Sequence, residues 1–581
     1  MCQNLLVFGV CTLTLLLADD QQSKAPAPVQ TERAPPGSHL ANAAKVRAFF
    51  GLTPGYQDIA GIESLKIAIL DYGFDGMDGK HVYLPANAVV IEHYDPAFIK
   101  RFHLGDPEYR NGFAPANSHG RRMAQIVWAV TGFHPGGPKF YLLNANGPTM
   151  FHRAVRYAVE AKVDIILFCN TFEGGGNGDG RGAIDRIVHE ATAADILWIN
   201  AAGNYGSCVY NGPVELLPDR YLRLGAGPTD SALRFRNLLD ENTVTVTLTW
   251  NDYREEEDAG TNKDLDLYVE DWQGRRIGAS EKKQVVRNKV PGPEESRNPR
   301  ERLVLQDLPA SGNDAYRIRI RAKKPNFAPT DRIRVLISSS REVYADPDRG
   351  AATDAVQFLD ATRKGEIFPP ADHPLVLTVG DMSAISARGP TEDHRVKPDV
   401  VLPESRAFFS NGEITSGASN AAAYFAGIVA VLKAAEPGLR TRHLLWFAHY
   451  APVPEKASPV RSTQLSRGRS MPIYERSSMP FADDQAQSEK RSAAFTTRIV
   501  TGRAPPDRER LPMPFAAEQP RERIPPPRPP EDLVPATTLV RPGAPASSGS
   551  RIISGSRPIV QRRIWHTPTR QQLADEVRAD H

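Results

Sequence analysis

Between residues 65 and 204 the chain alternates short, almost unbroken apolar runs with amphipathic stretches. The runs are "LKIAIL" (65–70), "KFYLLNA" (139–145), "VDIILFC" (163–169) and "ILWINAAGN" (196–204). Between them lie "HGRRMAQIVWAV" (119–130), with Met123, Ile126, Val127 and Val130 on one helical face, "MFHRAVRYAVEAK" (150–162) and "AIDRIVHEATAA" (183–194). A strand that is apolar on both faces has to be covered on both faces. Repeated strand–helix alternation of this kind predicts a parallel sheet with helices on either side. In such sheets, chemistry gathers at the carboxyl ends of the strands.

The pattern then changes. "TVTVTLTW" (243–250), "DLDLYVED" (264–271), "ERLVLQDL" (301–308), "AYRIRIRA" (315–322) and "RIRVLISSS" (332–340) alternate with period two and have no helix between them. They predict an antiparallel β-sandwich or jelly-roll module. "PLVLTVGD" (374–381) returns to the first style, so the module reads as inserted into an α/β domain. The expected divisions are a first part of the α/β domain over 46–225, the β module over 226–345 and a second part of the α/β domain over 346–451. Flanking them are a signal-like segment (1–18), a linker (19–45) and a Pro/Arg-rich tail (452–581).

The tail holds 21 Lys+Arg against 14 Asp+Glu and 20 of the 49 prolines, with no periodicity, so it predicts no packed core. The net charge of the whole chain is only +3, which gives no reason to expect nucleic acid as a partner. The tail's surplus of positive charge suits contact with anionic envelope or matrix polymers. The apolar run Leu5–Ala18 is short for a membrane span and fits an export signal, so a secreted or envelope location is expected. Of the four cysteines, Cys2 and Cys11 lie in this leader, leaving Cys169 and Cys208 and no metal-type spacing.

Three chemically suited residues stand where strands end or helices begin. Asp71 ends the first strand, His119 opens a helix, and Ser419 sits in "GASNAAAYFAG" at the mouth of another. Small residues around a serine suit a tightly packed helix, and they equally suit a nucleophile that needs room. An acid, an imidazole and a hydroxyl on one side of a sheet are the parts of nucleophilic acyl transfer.

The motifs carrying these residues resemble those of the subtilisin-like serine proteases, over roughly 61–451 without the insert. "KIAILDYGFDG" resembles the family's Asp motif, "NSHGRRMAQIV" its His motif and "GASNAAAYFAG" its Ser motif. "ILWINAAGN" is similar to the strand ending in the oxyanion-hole asparagine, here Asn204, and "SARGPTEDHRVKPDVVLPE" (386–404) to the stretch before the serine motif. The resemblance implies a serine endopeptidase acting on protein or peptide substrates through Asp71, His119 and Ser419. It implies no cofactor for the chemistry, a structural calcium in many members, and a cleft bordered by Cys169 to Gly174. Asp264 and Asp266, two apart on one strand, are the calcium candidates, with a solvated acidic face as the plainer reading. A monomer is expected.

The sequence also departs from the family. Tyr72, Arg121 and Ala418 replace small hydroxyl residues beside the three groups, Gln125 replaces a glycine and Ala423 a proline. Arg121 would bring a cation towards His119. These changes support a rival reading: a catalytically weak subtilase-fold binding protein that uses its β module and basic tail.

Overall fold

The computed structural model describes residues 43–450 and Val577, apart from residues 51, 53–60, 76–83, 86, 115–116, 134–135, 257, 288–290, 347–350 and 410–412. The described residues fall in one compact unit, and a second unit, Gln485–Arg562, lies outside them. The signal-like segment and all of the tail but Val577 also lie outside.

The first part of the chain runs α1 (Ala43–Phe49), β1 (Lys66–Asp71), β2 (Val89–Ile91), α2 (Pro96–Phe102), α3 (His119–Val130), β3 (Lys139–Asn144), α4 (Pro148–Glu160), β4 (Ile165–Phe168), α5 (Ala183–Thr192) and β5 (Leu197–Ala201). The β module follows with β6 (Val209–Pro213), β7 (Leu233–Asn237), β8 (Asn242–Trp250), β9 (Leu265–Glu270), β10 (Arg276–Ser280), β11 (Lys283–Gln284), β12 (Glu295–Ser296), β13 (Arg300–Leu308), β14 (Tyr316–Ala322), β15 (Arg332–Ser339), β16 (Glu342–Asp346), β17 (Ala351–Asp354) and β18 (Val356–Phe358). The chain then re-enters the first architecture with β19 (Val376–Asp381), β20 (Val400–Leu402), α6 (Ala418–Ala435) and α7 (Thr441–Tyr450).

The seven-stranded sheet has the order β2-β3-β1-β4-β5-β19-β20, and every pairing in it is parallel. Its strands are apolar throughout because alternate residues enter two different cores. Ile67 and Ile69 of β1 pack with α3 and α6 on one face, while Ala68 and Leu70 pack with α4 and α5 on the other. Helices α3 and α6 approach so closely that a Cβ on Gly427 would lie 2.5 Å from Val130. The small residues of the serine helix thus serve packing as well as any chemistry at its start.

The module is antiparallel and two-layered, with a five-stranded sheet, β10-β9-β14-β7-β18, and a four-stranded one, β13-β8-β15-β6. On β8, Val244, Val246, Leu248 and Trp250 enter the core shared by the two sheets. The intervening threonines face the other way, towards the α/β part, as the bond from Thr247 to Glu173 shows. Arg334 of β15 also crosses this boundary, donating from Nη1 to the Ile367 carbonyl at 3.0 Å.

Two expectations need correction. The module's sheets take in β6 and β18, so its strands span 209–358 rather than 226–345. "VYNGP" contains glycine and proline and "VQF" is three residues long, so neither carries a period-two pattern that could be read. In the tail, Val577 is helical and buried, and a Cβ on Gly438 would meet its side chain at 2.7 Å. The far end of the tail therefore touches the folded domain, a contact that composition averaged over 452–581 hides.

Candidate active site

Asp71 closes β1 and is fully buried. One carboxylate oxygen accepts the N–H groups of Tyr72 (2.8 Å) and Gly73 (3.2 Å), and the other lies 2.7 Å from His119 Nδ1. The imidazole belongs to the first residue of α3, whose N–H donates to Asn117 Oδ1 at 2.9 Å. Gly120 makes the approach possible. Its N–H donates to the Gly73 carbonyl at 2.7 Å, and a Cβ there would stand 2.6 Å from that of Asp71. The ring of Tyr72 lies parallel to the imidazole, 6.1 Å between centroids and 11° apart. Arg121 directs its Nε to the Asp75 carbonyl at 2.7 Å.

Ser419 is in the first turn of α6, after Gly417 at φ +116°. A Cβ on Gly417 would meet the Asn204 amide at 3.0 Å, so both backbone conformation and space require glycine here. Asn204 follows β5, and its Oδ1 accepts the Ala418 N–H at 2.9 Å. This fixes the amide and leaves Nδ2 as its donor, without a partner among the described residues. The Ser419 hydroxyl donates to the Cys169 carbonyl at 3.0 Å, and the Cys169 thiol returns a bond to the Ser419 carbonyl at 3.4 Å. Burial, and after it the charge of Asp71, pushes the Cys169 thiol well above its usual range.

His119, Asn204 and Ser419 open on one cleft of about 470 Å³. Its edges come from the carboxyl ends of the parallel strands, and the start of α6 brings unsatisfied N–H groups and a positive dipole end. The structure thus gathers all four residues singled out for chemistry, with Asp71 beneath His119. Cys169, Asn170, Thr171 and Glu173 border the same cleft, and a further wall comes from the β module through Thr243, Thr245, Arg302 and Val304.

Sequence reasoning missed that wall. The threonines of β8 gave no signal of it, since alternating threonines equally suit a sheet face left to solvent. Asp264 and Asp266 lie elsewhere, in the module. Asp266 Oδ2 accepts Lys323 Nζ (2.7 Å) and the Tyr268 hydroxyl (2.8 Å). Burial, then the charge of Asp266, raises the Asp264 carboxyl. Among the described residues no group of three or more His, Cys, Asp or Glu side chains is placed to hold a metal ion, so this pair gathers no third acidic, His or Cys ligand.

Among solved structures, the chain is similar to the Clostridium perfringens CspB protease, at 15% identity over 68% of this chain and 88% of that one, with a TM-score of 0.41. It is also similar to MycP1 from Mycobacterium smegmatis, at 14% identity over 72% and 88% of the two chains, with a TM-score of 0.30. No curated protein matches it. The profile of the Subtilase family, Peptidase_S8, matches residues 63–451, about two thirds of the sequence, and the chain therefore belongs to the subtilase family.

Proposed function

We propose that this subtilase is an exported serine endopeptidase that cleaves protein or peptide substrates through an acyl-enzyme intermediate. The observation that carries the reading is the 2.7 Å bond between His119 Nδ1 and Asp71, in a cleft shared with Ser419 and the anchored amide of Asn204. In this reading Asp71 holds the neutral imidazole with its proton on Nδ1, leaving Nε2 to accept the Ser419 proton as the hydroxyl oxygen attacks the scissile carbonyl. The developing oxyanion meets Asn204 Nδ2 and the first N–H groups of α6. His119 then returns the proton to the leaving amine, and water releases the acyl group by the same route.

The chemistry uses no cofactor, and any calcium would be structural. The exported setting rests on the apolar run Leu5–Ala18 and on the basic tail, which suits anionic envelope polymers.

The rival reading, a weakly catalytic binding protein, has one observation in its favour: the Ser419 hydroxyl is turned to Cys169 rather than to His119. A single neutral hydrogen bond contributes only about 1 kcal/mol, which a bound substrate readily offsets. Hydrolysis of an unfolded protein substrate separates the two readings. The enzyme reading expects turnover that falls by at least about 10³-fold in Ser419→Ala. Turnover that is equal in both proteins would reject it.

A further inference from the structure

The cleft is lined by an acidic side chain that the proposed chemistry does not use. Glu173 lies four residues beyond Cys169 and is 6% exposed, yet it borders the same space as Ser419 and His119. Its Oε2 accepts the Thr247 hydroxyl at 2.9 Å, and its Oε1 has no partner among the described residues. A buried carboxylate with an unpaired oxygen costs free energy that folding alone does not recover. Such a group calls for an explanation, and a partner from outside the chain supplies one. The carboxylate is also held in place from a second element, because Thr247 belongs to β8 of the module and projects from that strand's outward face.

We infer that Glu173 is the specificity-determining residue of the cleft and receives a cationic lysine or arginine side chain of the bound peptide. This rests on the peptidase reading for the fate of the peptide, but not for its recognition. The β module supplies the hydroxyl that orients the carboxylate, so the insert takes part in substrate choice. Val304 of β13, 40% exposed on the same wall, offers apolar surface to the stem of such a side chain.

One cation of the chain itself has to be weighed. Arg302 pairs with Thr247 in the β13–β8 register and also borders the cleft. It is half-buried, its Nε has no partner, and no ion pair joins it to Glu173 among the described residues. Glu173 is the deeper of the two and is held in place by a bond from another element. A peptide cation entering the cleft meets a carboxylate already desolvated.

The test uses full-length Ser419→Ala protein, which holds peptides without cleaving them. Fluorescent peptides of one sequence carry lysine or norleucine at each position in turn, and their affinities are read by anisotropy. At one position lysine should bind about 10- to 100-fold more tightly than norleucine. Adding Glu173→Gln, which keeps an acceptor for Thr247, should bring that ratio to within about twofold. Thr247→Val, which leaves the charge but frees it, should give an intermediate ratio. A parent ratio near one, or a ratio unchanged by Glu173→Gln, would overturn the inference. So would a preference for glutamate over glutamine that disappears in Arg302→Ala, since Arg302 would then be neutralising Glu173. Fluorophosphonate labelling of the unmutated protein reports separately on the peptidase reading, and the affinity ratios remain decisive whichever way that result falls.

Discussion

Ser419 and Cys169 hold each other at both ends: the serine hydroxyl donates to the cysteine carbonyl, and the cysteine thiol donates to the serine carbonyl. The pair ties the first turn of α6 to the end of β4. The thiol is enclosed, and burial with the nearby Asp71 charge disfavours its thiolate. In native protein at pH 8, iodoacetamide should therefore leave Cys169 unmodified, and alkylation should appear only on unfolding. Mass spectrometry of the peptide containing Cys169 checks this, and native-state modification at the rate of a free thiol would contradict it.

Asn204 is fixed through Oδ1 and presents Nδ2 to the cleft. Asn204→Ala should lower kcat by about 10²–10³-fold while KM moves little, because the amide acts on charge that exists only in the transition state. Steady-state kinetics on a fluorogenic peptide would show it. An unchanged kcat would remove Asn204 from the mechanism.

Gly120 allows the Asp71–His119 contact. In Gly120→Ala the new methyl would stand 2.6 Å from the Asp71 Cβ and 2.6 Å from the Phe74 ring, so one of them has to move. Overpacking of this kind costs about 1–3 kcal/mol of stability. Misplacing the imidazole should cost about 10²-fold in kcat/KM, a larger effect than the stability loss alone produces. Activity measured well below the variant's own melting temperature separates the two.

Much of this site could be read from the sequence, for a physical reason. Asp71 ends a strand, and Asn204 and Cys169 follow strands, whose apolar runs are nearly continuous; His119 begins a helix with a clear apolar face, and Ser419 lies in the first turn of one that is apolar and buried nearly all round. Local pattern therefore placed each group at the correct end of its element. The wall formed by Thr243, Thr245 and Arg302 was not legible, because its position depends on how the module docks, a contact between residues far apart in sequence. The role of Glu173 was hidden for the same reason, as nothing around "TFEGGG" announces a partner on β8. Strand β6 was missed because its glycine and proline break any period-two pattern, and β18 because it is only three residues long.

Glu301 gives the module a pH signature. Its carboxyl is buried and is pushed up to about 7 by that burial, even though Ser280 and Gln284 donate to it. The native state therefore disfavours the ionised form. Stability is greatest while the group is protonated, falls as pH rises from about 4.5 to 7, and levels off above, a change of up to about 3 kcal/mol. His373 works in the opposite sense, since burial and then Lys397 push it down to about 3. Comparison with Glu301→Gln isolates the first term. The variant should be the more stable protein at pH 8, with the gap narrowing towards pH 4.5. Urea midpoints showing the same gap at both pH values would contradict this assignment.

The central claim, that Ser419 is a nucleophile activated by His119 and Asp71, is tested most directly by reaction with a fluorophosphonate followed by mass spectrometry. The account predicts a single phosphonyl adduct on Ser419, absent in Ser419→Ala and at least about 10³-fold slower to form in His119→Ala. An unlabelled but fully folded protein, or labelling that proceeds equally well without His119, would contradict it.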